Sequence, residues 1–301
     1  MIDLEAVRVF TKVAELGSFT RAGEHLRLSK SRVSLRVSAL ESELGARLLQ
    51  RTTRAVQLTA DGEQFLARAR RLLGDSEDLA GMFQAPSALR GQVRLDMPTV
   101  YARTHIIPRL PELLAAHPQL EVLLSTTDRR VDLVREGFDC VLRIGALPDS
   151  TLVGKRLGAL HLVNCVSPGY IARHGTPRTL ADLARHRVVH YSLRFGTDAP
   201  TFEYRDGDRY RELPMRSAVT VNSADAYRAA CLAGLGIVQS PRVGVRADLE
   251  AGTMIEVLPE YVAAAMPVAL VHGHGRNVPR RVRVVMGWIA DVVRPTLDET
   301  S

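Results

Sequence analysis

The apolar periodicity of this chain changes once, near residue 90, and that change limits what it can fold into. Before it, hydrophobic side chains recur three and four residues apart, as in helices packed along one face; after it, short strand-like apolar runs alternate with helical stretches. A length of 301 residues, 46% of them hydrophobic and 24% charged, supplies about two packed domains and is unlike a disordered or fibrous chain. The longest unbroken apolar run, Tyr261 to Val271, falls short of the ~18 residues of a membrane span. Asp3, Glu5 and Arg8 stand where a signal peptide needs basic and then apolar residues, so a soluble cytoplasmic protein with no membrane partner is expected.

Val7, Phe10, Val13 and Ala14 predict an opening amphipathic helix that ends near Gly17. Ser18 or Thr20 caps a short second helix through Leu26. Leu28-Ser29 makes a turn, and Ser29 caps a third helix that stops at Gly45. Leu48 to Arg51 and Ala55 to Leu58 read as a small hairpin around Thr52-Thr53-Arg54. From Thr59 a helix runs without proline until Pro86, with Phe65, Ala69, Leu72, Ser76, Leu79 and Phe83 at heptad spacing. Such a seam suits either packing on its own domain or pairing with a second helix. Pro86 to Gly91 reads as a linker.

Charge is concentrated in this amino-terminal part. The net charge is +7, and residues 21–54 carry eight basic side chains against three acidic ones, +5 of that total. On the third helix Val33, Val37, Leu40 and Leu44 form one stripe that packs inward. The opposite face shows Ser31, Ser34, Leu35 and Ser38, with Arg32 and Arg36 on one flank and Lys30 toward the other. Small hydroxyl side chains let a helix enter the major groove and meet base edges, and an exposed leucine suits a thymine methyl. The basic flanks, with Arg51 and Arg54 on the hairpin, suit phosphates and position the domain without reading sequence.

These residues resemble a known family. Phe19 to Ser38 is similar to the helix-turn-helix of the LysR-type transcriptional regulators. Leu40-Glu41-x-x-Leu44-Gly45-x-x-Leu48-Leu49-x-Arg51 and Leu58-Thr59-x-x-Gly62 match that family's continuation. Gly23 departs from a usual alanine, and Lys30 and Arg32 are more basic than the usual glutamine and alanine. The resemblance implies an α/β protein: a winged helix-turn-helix over 1–58, a dimerising linker helix and hinge over 59–90, and an effector-binding module over 91–301. That module has two subdomains like those of periplasmic binding proteins, about 91–163 with 268–301, and about 164–267. The implied partners are double-stranded promoter DNA, contacted by Thr20, Lys30, Ser31, Arg32, Ser34, Leu35, Arg36, Ser38, Arg51, Thr53 and Arg54, and a small-molecule effector. A homodimer through the linker helix, a homotetramer and RNA polymerase complete the expected partners, with no cofactor.

Beyond residue 90, strands are expected at Val93–Met97, Leu120–Thr126, Cys140–Ile144, Leu152–Leu157, Leu160–Val166, Ala218–Val221, Ile255–Leu258 and Val268–His272. Helices are expected over Thr99–Ala116, near Val131–Arg135, in short pieces over 168–190, from Asn222-Ser223 to Ala233, and around Val282–Val293. Asp206-Gly207 marks a hairpin. Two strand-to-helix junctions, Met97-Pro98-Thr99 and Val221-Asn222-Ser223, offer unpaired amides that favour anions. In the resembling family these two junctions face the cleft between subdomains and the loop at Thr126-Thr127-Asp128 also lines it, so the resemblance implies a small carboxylate effector at Pro98, Thr99, Val100, Thr127, Asn222 and Ser223, with Arg143 or Arg129 as counter-charge.

Rival readings rest on less. Cys140, Cys165 and Cys231 form no CxxC pair, which argues against a zinc site or a disulfide framework. Cys231, before the Gly234-Leu235-Gly236 turn, would be the residue of a thiol-sensing regulator. His272 and His274 point the same way on an expected strand but lack a third metal ligand. An α/β enzyme with an accessory DNA-binding domain lacks a G-x-S-x-G elbow, a P-loop and a complete dinucleotide motif.

Overall fold

The computed structural model describes residues 2–51, 56–81, 89–145, 153–275 and 278–297. Thr53, Arg54 and Phe83 lie outside the described residues, as do Leu152 and the first half of the expected linker, 86–88.

The amino-terminal unit is built by capping. Asp3 caps α1 (Leu4–Leu16), Ser18 rather than Thr20 caps α2 (Phe19–Leu26), and Ser29 caps α3 (Lys30–Leu44), each side chain accepting from a backbone N–H. Gly17 and Gly45 end α1 and α3 in the left-handed region. Val7, Phe10, Val13, Ala22, Val33, Val37 and Leu40 form one buried core among the three helices. The hairpin β1 (Leu49–Arg51) and β2 (Val56–Leu58) is antiparallel, with Leu49 opposite Leu58.

Two contacts explain residues of the family pattern that apolar spacing does not. Oε1 of Glu41 accepts from the N–H groups of Leu48 (2.8 Å) and Leu49 (3.0 Å), which braces the hairpin against α3. Thr59 Oγ1 donates to Arg47 O (2.6 Å) and accepts from Gly62 N (2.9 Å), starting α4 (Ala60–Gly81). Gly62 presses so closely on this corner that a Cβ there would stand 2.0 Å from the Leu48 carbonyl oxygen.

The seam of α4 divides. Phe65, Leu66 and Ala69 pack on the helical core, Phe65 edge-to-face on Phe10 with ring centroids 5.3 Å apart. Leu72 and Leu79 remain 48% and 65% exposed. The heptad spacing therefore serves the domain's own core first and an open apolar stripe second.

The carboxy-terminal part begins with β3 (Arg90–Met97) and α5 (Thr99–Tyr101). The helix expected over Thr99–Ala116 is broken: a π-turn spans Ala102–Ile106 and a 3₁₀ turn Ile107–Arg109, before α6 (Leu110–Ala116). Pro108 and Pro111 remove the N–H groups that a continuous helix needs. There follow β4 (Gln119–Thr126), β5 (Cys140–Ile144), β6 (Val153–Leu160) and β7 (Leu162–Val166). The helix expected near Val131–Arg135 is only a turn: Asp132 Oδ1 accepts from Val134 N and Arg135 N, and Gly137 at φ +71° ends it. α7 (Pro168–His174) is helical as expected, but 168–190 ends in a strand, β8 (Arg187–Tyr191), where Val188 and Val189 are buried.

β9 (Thr201–Asp206) and β10 (Arg209–Pro214) form the expected hairpin, whose two-residue loop is Gly207-Asp208 rather than Asp206-Gly207. β11 (Arg216–Val221) leads to α8 (Ala224–Leu232), capped by Ser223. β12 (Val238–Pro241) and α9 (Arg242–Glu250), which the sequence reading passed over, precede a short β13 (Ile255–Glu256), then β14 (Met266–His272) and α10 (Arg280–Val293).

A five-stranded sheet runs β4-β3-β5-β14-β6, with β3 parallel to β4 and β5 and with β14 antiparallel to its neighbours. α10 buries Val282, Val285, Ile289 and Val293 against its Val93, Leu95, Met97, Leu142 and Leu270. The second body holds β12-β7-β13, the parallel pair β11-β8 and the β9-β10 hairpin, joined in part by a bridge from Val188 to Ile237. The chain crosses between the two bodies at His161 and again between Glu256 and Met266. No helix of the described residues is long and apolar enough to cross a membrane.

The brace and the close approach set an expectation. Glu41→Ala removes two hydrogen bonds to a carboxylate, and Gly62→Ala forces backbone apart. Each should lower the stability of the amino-terminal unit by about 1–3 kcal/mol, read as an earlier denaturant midpoint for the helical signal. Unchanged midpoints would contradict both roles.

Candidate functional site

With Val33, Val37 and Leu40 buried, the outward face of α3 is fixed by geometry. Lys30, Ser31, Arg32, Leu35 and Ser38 are exposed, Leu35 to 69%, and Ser34 and Arg36 are half-buried. Thr20 is exposed on the first turn of α2. The structure thus brings the expected serines and leucine together on one ridge. Arg36 differs from expectation in one respect, because its guanidinium donates to Asp3 at 3.3 Å across to α1. That pair is solvent-exposed and weak, so it competes little with a phosphate. Arg51 ends β1 opposite Val56, which puts it on the hairpin as expected.

Gly23 has a local reason to be glycine. The turn from α2 to α3 passes through Arg27 at φ +56°, and a Cβ on Gly23 would stand 2.5 Å from the Leu28 carbonyl oxygen. The connection is drawn tight by the Leu28 N–H, which donates to Gly23 O at 2.8 Å.

A second candidate site lies where the two carboxy-terminal bodies face each other. β3 and β4 run parallel and end side by side, Met97 opposite Thr126, with Thr127 N donating to Met97 O at 3.1 Å. β8 and β11 are likewise parallel and end at Tyr191 and Val221. Crevices outside the carboxyl ends of parallel strands are where open α/β sheets hold ligands. Across this gap Asp128 Oδ2 accepts from the first amide of α8, Ala224 N, at 2.7 Å, and Arg103 pairs with Asp225 at 3.2 Å. Thr127 and Ser223 each stand next in sequence to a member of that Asp128–Ala224 bond, and Pro98, Thr99 and Val100 follow the end of β3. Ser223 Oγ accepts from Ala226 N at 3.3 Å and so also serves as the α8 cap.

The expected counter-charges are already engaged. Arg143 donates to the carbonyl oxygens of Arg129 (3.4 Å) and Val131, and Arg129 forms a two-pronged pair with Glu136 at 2.9 and 2.6 Å. Sequence reasoning also missed Asp96, buried on β3. Burial raises its carboxyl to about 6, against the opposing pull of a Ser125 hydrogen bond and of the Arg143 charge. Its Oδ1 has no hydrogen-bond partner among the described residues. A lone acid inside the otherwise apolar end of a strand was the available signal.

The cysteine reading is corrected. Cys231 does not edge the gap; it is fully buried, its Sγ 3.6 Å from the Cys165 carbonyl oxygen. Burial pushes the thiols of Cys231 and Cys165 up to about 12 and raises that of Cys140 as well, the opposite of a reactive thiolate. His272 is buried and His274 half-buried, and His274 Nε2 lies 3.4 Å from Asp139 Oδ1. Among the described residues no group of three or more His, Cys, Asp or Glu is placed to hold a metal ion.

Residues 4–63 match the family model of the bacterial regulatory helix-turn-helix protein, lysR family, and residues 86–294 that of the LysR substrate binding domain. This chain belongs to the LysR-type transcriptional regulators. It is 42% identical over 299 residues to the uncharacterized HTH-type transcriptional regulator YhjC of Escherichia coli (strain K12), covering 99% of this chain and 100% of that one. It is 33% identical to the HTH-type transcriptional repressor PA14_22550 of Pseudomonas aeruginosa (strain UCBPP-PA14), over 97% and 92% of the two chains. The structure of CrgA, a LysR-type regulator from Neisseria meningitidis, superposes with a TM-score of 0.60 at 29% identity, over 97% of this chain and 99% of that one. The LysR-type chain thus carries a helix-turn-helix and a substrate-binding domain, and its named relatives regulate transcription.

Asp96 gives the gap a pH signature. Its folded-state acidity is weakened relative to the unfolded chain, so the folded form keeps a proton that the unfolded form releases between about pH 4 and 6. Stability should fall as pH rises through that window. Asp96→Asn should remove this fall, a difference of order 1–3 kcal/mol between variant and parent at pH 7 relative to pH 4. Parallel pH–stability curves would contradict the assignment.

Proposed function

We propose that this regulator reads promoter DNA through Ser31, Ser34, Leu35 and Ser38, and changes its grip when a small carboxylate enters the gap between its carboxy-terminal subdomains. Thr20, Lys30, Arg32, Arg36 and the residues Arg51, Thr53 and Arg54 would add contacts along the groove walls. Their phosphate pairs supply affinity and salt dependence, and the serine–leucine ridge supplies sequence preference.

The observation that carries the effector reading is the carboxylate already seated in the gap. Asp128 holds the first amide of α8 at 2.7 Å, which is the geometry an anionic ligand would adopt there. Thr99 and Thr127 add hydroxyls beside it, Asn222 adds an amide, and Ser223 faces the same position. Pro98 and Val100 flank Thr99 after β3 and would supply the apolar side of the site. Arg143 acts from beneath, by holding the Arg129–Val131 backbone, rather than as a direct counter-charge.

Leu72 and Leu79 on α4 are the apolar stripe that a second copy covers, giving a homodimer through the linker helix. Pairing of two dimers would set four recognition helices over paired half-sites, about one helical turn apart within each dimer. RNA polymerase is the further partner such placement serves, in the cytoplasm.

Footprinting of the DNA upstream of its own gene, with and without a panel of small carboxylates, tests this reading. A protected pair of half-sites whose boundaries shift with one carboxylate is expected. For that compound, Thr99→Ala and Ser223→Ala should reduce the ligand-induced thermal shift while leaving the protected half-sites in place. Shifts equal to the parent's would remove these residues from the site.

A further inference from the structure

Residues 128–139 touch both the gap and the linker helix, and they are braced along their length. At one end Asp128 holds Ala224 N across the gap. The backbone is then pinned from below by Arg143, through the carbonyl oxygens of Arg129 and Val131. Glu136 closes the segment on itself, accepting from Arg129 and, at 2.9 Å, from Asp132 N. Val131, Leu133 and Phe138 are buried with Val141 in a small apolar cluster of their own, so the segment has a keel on the sheet.

The other end bears on α4. Arg135 pairs with Glu63 at 3.2 Å, and Gly137 lies against the backbone of Ala67 and the side chain of Arg70. Arg70 in turn lies 3.4 Å from Glu15 of α1, so the contact reaches the helix-turn-helix itself. Asp139 closes the segment by accepting from Arg94 N at 2.8 Å. Farther along α4, Arg281 donates to the Gly74 carbonyl oxygen at 3.2 Å and to that of Gln92 at 3.1 Å, which fixes the helix to the sheet at a second point. Glu63 and Gly74 are eleven positions apart, or roughly 16 Å along a helix.

From this we infer that residues 128–139 act as a strut: a change at the gap moves Asp128, and the braced segment shifts the start of α4 about its attachment at Gly74. The inference rests on the ligand-responsive reading for its biological use, but not for its mechanics. A packed segment with two arrangements transmits displacement because its interior does not deform continuously. Effector entry at the α8 amide would compete with the Asp128 carboxylate, release that end of the strut and alter the angle between the DNA-binding unit and its own effector module.

Hydrogen–deuterium exchange on the full chain, without any ligand, tests the strut. Asp128→Asn should speed exchange at the start of α8 and also, by about threefold or more, in peptides covering residues 63–73. Arg135→Glu should produce the α4 effect alone, and Arg135→Glu with Glu63→Arg should restore it, since both side chains are on the surface. An Asp128→Asn effect confined to α8 and residues 128–132 would overturn the strut. If a carboxylate shifts the footprint equally in the parent and in Arg135→Glu, the strut fails and the ligand reading stands. If the exchange changes occur but no carboxylate alters the footprint, the strut stands and the ligand reading fails.

Discussion

The burial of Val33, Val37 and Leu40 against α1 decides which way α3 faces, and everything the amino-terminal unit does follows from that orientation. Each side chain removed from water contributes on the order of 1.5–3 kcal/mol, far more than any surface ion pair nearby. A rotation of α3 by even one position would bury a serine and expose a valine. Glu41 adds direction to that burial, because its carboxylate can reach the hairpin amides in only one setting of the helix. The ridge of Ser31, Ser34, Leu35 and Ser38 is therefore what remains once the core is satisfied.

The same economy governs the carboxy-terminal module. Two bodies with separate cores meet at their parallel strand ends, and several of the polar groups there are already engaged. Asp128 holds an α8 amide, Arg143 holds two carbonyl oxygens, and Glu136 holds Arg129. Under the proposed reading, a ligand entering there would exchange partners with these groups. The contacts around residues 128–139 give such an exchange a path to α4, and α4 leads directly to the helix-turn-helix.

Much of the amino-terminal unit was legible because its elements are local. The caps at Ser18 and Ser29, the stop at Gly45 and the inward stripe of α3 each depend on residues within one or two turns. What escaped was non-local. Nothing near Glu41 announces that its carboxylate serves Leu48 and Leu49, and the heptad seam of α4 does not say where Ala69 stops packing inward and Leu72 starts facing out. In the effector module, β8 hid in a stretch read as helical, since its pairing partner β11 begins some thirty residues later. The junctions at Thr99 and Ser223 were readable as helix starts. Their meeting across Asp128, the commitment of Arg143 and the burial of Cys231 depended on how two bodies come together, which spacing along the chain does not encode.

The most direct test of the account is selection of bound duplexes from a random-sequence pool by the full chain at moderate ionic strength, repeated with Ser34→Ala and Leu35→Ala. The parent should enrich one pair of related half-sites, and each variant should relax preference at one or two positions by roughly tenfold while keeping its salt-dependent affinity for unrelated DNA. No enriched sequence, or the same sequence enriched equally by all three proteins, would contradict it.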